Sequence, residues 1–85
     1  MEKPIKKQNL TLTDADDESI LYDSESGQIH VLNQVGARIW DLCNGERTHA
    51  EIALFIKDEF ETDEKTAASD TDEFISQLRE LQLID

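Results

Sequence analysis

Residues 27–45, GQIHVLNQVGARIWDLCNG, run a β-type segment straight into an amphipathic helix, and the rest of the chain is arranged around that junction. Gln28 to Leu32 is rich in β-branched and apolar residues, with Ile29 and Val31 on one side and His30 and Leu32 on the other, which is strand chemistry. Asn33 has a side-chain oxygen able to accept from the free amides of a following helical turn, so it reads as an N-cap. Val35, Ile39, Leu42 and Cys43 then fall at helical spacing on one face, and Asn44-Gly45 supplies the stop. A strand joined to a helix without a loop fixes a corner, and such a corner can offer a groove.

Working outward toward the N-terminus, Asp23 to Gly27 forms a turn with Gly27 free to take a positive φ, and Ser19 to Tyr22 is the strand that pairs back across it. Asp14 to Glu18, with four acids, reads as a solvated turn, and Asn9 to Thr13 alternates as an edge strand with Leu10 and Leu12 on one side. Residues 1–8 are polar and hold the only proline, so they are expected to be a frayed arm ahead of one domain over residues 9–85. Toward the C-terminus, Thr48-His49-Ala50-Glu51 has the form of a capping box, and Ile52, Phe55, Ile56 and Phe60 follow at helical spacing. A third helix is expected over about residues 65–81, with the stripe Ala67, Thr71, Phe74, Ile75, Leu78 and Leu81. Strands followed by helices, β-β-β-α-α-α, imply an α+β fold with helices packed on one face of a three-stranded antiparallel sheet.

Composition excludes several classes of function. The chain has 85 residues and a net charge of −12, from 20 acids and 8 bases. Lys3, Lys6 and Lys7 are three of those bases, so the remaining chain is more acidic still. Such a surface repels phosphate backbones and anionic headgroups, which argues against nucleic-acid and membrane partners. No apolar run is long enough to span a bilayer, the basic N-terminus leads into no apolar signal segment, and the lone Cys43 can form no internal disulfide. A cytoplasmic protein is expected.

No catalytic constellation is visible. Asp14, Asp16, Glu18 and Glu25 match positions 1, 3, 5 and 12 of a calcium loop, but Ser19 replaces its sharp-turn glycine and a strand follows, so a solvated turn is the better reading. His30, His49 and Cys43 lack the local spacing of metal ligands, and neither metal nor cofactor is expected. Trp40 flanks the apolar stripe of its helix and is expected to close the core against the sheet.

The residues YDSESGQIHVLNQVGARIWDLCNGERTHAEI resemble the PqqD family, also called the RiPP recognition element, and the resemblance extends over about residues 10–84. It rests on Tyr22, Gly27, Leu32, Asn33, Gly36, Ile39-Trp40, Gly45, Arg47-Thr48 and Glu51-Ile52 taken together. Two positions depart from the family pattern: Thr71 stands where an aliphatic residue is usual, and Gln82 where a helix-ending glycine is common.

The resemblance implies a winged helix-turn-helix-like fold with no enzymatic activity of its own. Such a domain binds the leader segment of a ribosomally made precursor peptide and presents it to a modifying enzyme, such as a radical SAM enzyme or a leader peptidase. The leader would be added as a strand against the third strand, Gln28, Ile29, His30, Val31, Leu32 and Asn33. Its apolar side chains would lie in a cleft beside Thr71, Ile75, Leu78 and Arg79 of the third helix. An open strand edge is itself a template for an extended peptide, so the residues agree with this reading.

Two other classes compete. The same order of elements could build a winged-helix DNA-binding regulator, or the chain could be an accessory subunit that docks only on an enzyme. Charge separates the first of these, because a recognition helix needs Lys or Arg to meet phosphates. The second helix has only Lys57 and the third only Lys65 and Arg79. A gel-shift titration at physiological salt should therefore show negligible duplex binding, and sub-micromolar, salt-sensitive affinity would restore the regulator.

Overall fold

The computed structural model describes residues 3–85. Three strands, β1 (Leu10–Ala15), β2 (Glu18–Asp23) and β3 (Ile29–Asn33), precede three helices, α1 (Gln34–Leu42), α2 (His49–Phe60) and α3 (Glu64–Glu80). The sheet is antiparallel in the order β1-β2-β3, so β3 is an edge. The β1–β2 connection is tighter than the acidic run suggested. Asp14 and Ala15 stay in the strand, and the turn closes at Asp16-Asp17 because Asp16 takes φ 54°. Aspartate visits that left-handed region more readily than most residues.

Each helix starts on a side-chain cap. Asn33 Oδ1 accepts from Gly36 N–H at 2.7 Å, and Asp63 Oδ1 accepts from Thr66 N–H at 2.6 Å. Thr48 and Glu51 close the capping box in both directions. These amide bonds hold the Asp63 and Glu51 carboxyls below their usual range. A depressed carboxylate stabilises the fold above its ordinary pKa, and that support is lost as pH falls through its folded value.

α1 is the layer that joins sheet to helices: it packs on β2 and β3, and also on α2 and α3. Its inner face supplies Ile39, Trp40 and Leu42 to a core completed by Leu21, Leu32, Ile52, Ile56, Ile75 and Leu78. On the outer side, Arg38 grips Glu59 of α2 at 2.8–2.9 Å and Asp41 at 3.0 Å. The buried face of α2 is Ile52, Ala53 and Ile56. Phe55, expected in that stripe, is instead exposed and has the Arg47 guanidinium 4.9 Å from its ring centroid.

The chain ends are tied together, which the polar N-terminal sequence did not suggest. Pro4 is buried, Lys6 N–H donates to Cys43 O at 2.8 Å, and Asp85 N–H donates to Ile5 O at 2.9 Å. Lys6 Nζ also lies 4.7 Å from the Trp40 ring centroid. The expected frayed arm is thus pinned from Pro4 onward by backbone pairing, while Met1 and Glu2 lie outside the described residues. Cys43 is buried and its thiol donates to Ile39 O, and burial pushes its pKa up to about 11.

What brings the C-terminus into the core is the end of α3. Leu83 N–H bonds Leu78 O and Gln82 N–H bonds Arg79 O, the Schellman pattern, with Gln82 at φ 61°. Leu83 and Ile84 are thereby buried. Glutamine bears a left-handed penalty of about 1–2 kcal/mol at that position, partly offset by the larger entropy loss of glycine. Replacing Gln82 by Gly should raise unfolding free energy by about 0.5–1 kcal/mol in denaturant titration. An unchanged or lower midpoint would show that the side chain, not the backbone, matters there.

Candidate strand-edge site

The hydrogen-bonding parity of the sheet decides which groups β3 offers. Asp23 N–H donates to Gln28 O at 2.9 Å, directly across the β2–β3 register. In an antiparallel pair, bonded and non-bonded partners alternate, so Leu21/His30 and Ser19/Leu32 are the bonded pairs that follow. The other side of β2 agrees: Ser24 N–H donates to Asn9 O at 3.0 Å, which turns Tyr22, Ile20 and Glu18 toward β1. The backbone groups of Ile29 and Val31, and the N–H of Asn33, therefore point away from the sheet along the open edge.

The side chains divide the same strand by face. Ile29 and Val31 are 63% and 61% exposed on the outer face, opposite Tyr22 and Ile20. His30 and Leu32 turn toward the helices, Leu32 buried and His30 half-buried. His30 Nε2 is enclosed without a hydrogen-bond partner among the described residues.

Beside this edge the helices stand off. No Cα of α3 comes within 8 Å of a Cα of β3. At the Asn33 end a cleft of about 310 Å³ opens between α1 and α3, lined by Asn33, Val35, Gly36, Ile39, Asp70, Glu73, Phe74 and Gln77. Gly36 lets the two helices close to this distance: a Cβ there would lie 2.6 Å from the tip of the Phe74 ring. A second hollow of about 490 Å³ lies at the Gln28 end, where Gln28, Ser26 and Asp23 face Leu81 and Gln82. The sheet's other edge, β1, borders a hollow of about 420 Å³, lined by Leu12, Ala37 and Phe60 as well as by the ion-paired Arg38, Asp41 and Glu59.

Among the residues singled out from the sequence, Gln28 to Asn33 come together along one edge. Thr71, Ile75 and Leu78 do not line this cleft and are buried in the core. Arg79 is exposed. The helical wall is made one step round α3, by Asp70, Glu73, Phe74 and Gln77. Of these only Phe74 stood in the apolar stripe, and the residues missed on α1, Val35, Gly36 and Ile39, sat in the sequence as a helix face and a small residue. Among the described residues no group of three or more His, Cys, Asp and Glu could hold a metal, and no helix is long and apolar enough to cross a membrane.

Three comparisons bear on this geometry. The family model for coenzyme PQQ synthesis protein D (PqqD) matches residues 18–84. Among solved structures, TbiB1 in complex with the TbiA(β) leader peptide is similar, with 27% identity and a TM-score of 0.79, over 95% of this chain and 94% of that one. Lasso peptide synthetase B1 complexed with the leader peptide has the same fold, with 22% identity and a TM-score of 0.81, over 98% of each chain. No curated protein sequence matches the chain significantly.

Parity orders two proline substitutions. His30→Pro removes a donor that bonds β2, and should lower stability by about 1–3 kcal/mol beyond His30→Ala. Val31→Pro removes a donor that faces solvent, so its thermal melt should stay much closer to that of Val31→Ala. The reverse order of melting temperatures would overturn the assigned parity.

Proposed function

Because the chain belongs to the PqqD family, we propose that it is a non-catalytic peptide-binding protein that takes the leader segment of a ribosomally made precursor as an extra strand on β3 and presents it to a modifying enzyme. The observation that carries this is the unpaired backbone of Ile29 and Val31 lying beside an open cleft. Backbone pairing supplies affinity without regard to sequence, and alternate side chains of the added strand enter the cleft and supply selectivity. Similar chains solved with leader peptides support the same reading.

The chemistry of the rest of the chain is in keeping with presentation rather than turnover. Its one thiol is buried and held protonated, so it is a poor nucleophile. The partner enzyme would be a radical SAM enzyme or a leader peptidase, in the cytoplasm, where a lone thiol stays reduced.

The test uses a labelled leader segment of a ribosomally made precursor peptide that the protein binds. Val31→Pro should keep the fold yet bind at least roughly tenfold more weakly than Val31→Ala, equivalent to about 1.4 kcal/mol. Equal affinity for the two variants would mean that the leader is not added to this edge.

A further inference from the structure

The cleft carries a charge that its function as an apolar pocket does not explain. Asp70 and Glu73 line it on the same wall as Phe74 and Gln77. Elsewhere, acids near a base are used: Asp41 pairs with Lys6 and Arg38, Glu59 with Arg38, and Asp72 with His49. Among the described residues, Asp70 and Glu73 take part in no ion pair. The opposite wall includes the start of α1, whose helix dipole is equivalent to about half a positive charge. Two full carboxylates outweigh it, and its Gly36 amide is already capped by Asn33. The mouth of the cleft is therefore net negative beside the half-buried apolar side chains of Val35 and Phe74.

We propose that Asp70 and Glu73 are specificity-determining residues, which select a peptide carrying Lys or Arg beside the apolar residue that enters the cleft. This rests on the strand-addition reading above. Spacing fixes where the cation belongs. Side chains on one face of an added strand recur every second residue, about 6.6–6.8 Å apart, close to the roughly 6 Å of rise along α3 that separates Phe74 from Asp70. With the apolar side chain on Phe74, the next one on that face meets the acids. A Lys or Arg stem can lie along the Phe74 ring and leave its charged head at the carboxylates. An acidic residue at that position would meet both the local pair and a chain of net charge −12.

The probe is a random twelve-residue peptide display library, selected on the full chain and on its D70N/E73Q variant. Both residues are exposed, so the variant should melt as the parent does. Peptides captured by the parent should carry Lys or Arg two positions from an apolar residue, and those captured by the variant should not. For the best synthetic peptide at physiological salt, D70N/E73Q should weaken binding about fivefold, the scale of a partly exposed ion pair. Replacing the peptide's cation by Gln should weaken binding to the parent by the same factor and leave binding to the variant unchanged. The difference should shrink at 1 M salt, where the screening length falls to about 3 Å. The peptide substitution reads the selection on the parent protein, whatever the variant's stability. Captured peptides that lose affinity in Val31→Pro, yet show no cation preference and bind D70N/E73Q equally, would overturn the selection and leave strand addition standing. Peptides that bind Val31→Pro as well as Val31→Ala, or capture of none at all, would overturn both.

Discussion

Everything at the edge of this protein follows from the position of β2 between two antiparallel neighbours. Its residues bond alternately left and right, so Asp23, Leu21 and Ser19 are committed to β3, and Tyr22, Ile20 and Glu18 to β1. β3 consequently satisfies only every second residue within the sheet. The groups of Ile29 and Val31 are left to water, and water is a tolerable partner only on an exposed edge. A peptide strand can replace that water without any rearrangement of the sheet. Most exposed edges are a hazard that proteins blunt with charge or proline, but β3 presents Ile29 and Val31, neither of which does so.

The second requirement is that the edge be held at a fixed distance from the helices. α1 achieves this because it touches the sheet on one side and α2 and α3 on the other, and because its N-cap is the last residue of β3 itself. No linker separates the two, so the end of the strand fixes where the helix begins. The tied termini brace the far end of α1, where Lys6 and Ile5 bridge to the Asn44 region and to Ile84. The cleft is thus the space left between α3 and a strand–helix corner, and Gly36 sets how far Phe74 can lean across it.

Much of this was legible in the chain. The β-β-β-α-α-α order followed from a change of period, from two to 3.6, at Asn33, and Thr48-Glu51 announced the second helix with a pairing that the structure contains in both directions. The pinned N-terminal segment was hidden, because its bonds are made by backbone to residues about 40 and 80 positions away, and backbone pairing has no side-chain signature. The cleft wall on α3 was hard to read for a different reason. A stripe of helical spacing tells which face is buried, and the buried face of α3 is spent on the core, so the cleft wall is its neighbour, about 100° round the helix. Phe74 lies at the border of the two and serves both. Gln82 was noted only as a departure from a glycine, yet its left-handed backbone is what returns Leu83 and Ile84 to the core.

Residue-resolved amide hydrogen exchange, with and without a bound leader peptide, tests strand addition most directly. In the free protein His30 and Leu32 should exchange slowly, because their amides bond β2, while Ile29 and Val31 exchange quickly. Saturation with peptide should slow Ile29 and Val31 and leave His30 and Leu32 little changed. Fast exchange at Ile29 and Val31 in a complex shown to be saturated would contradict the account.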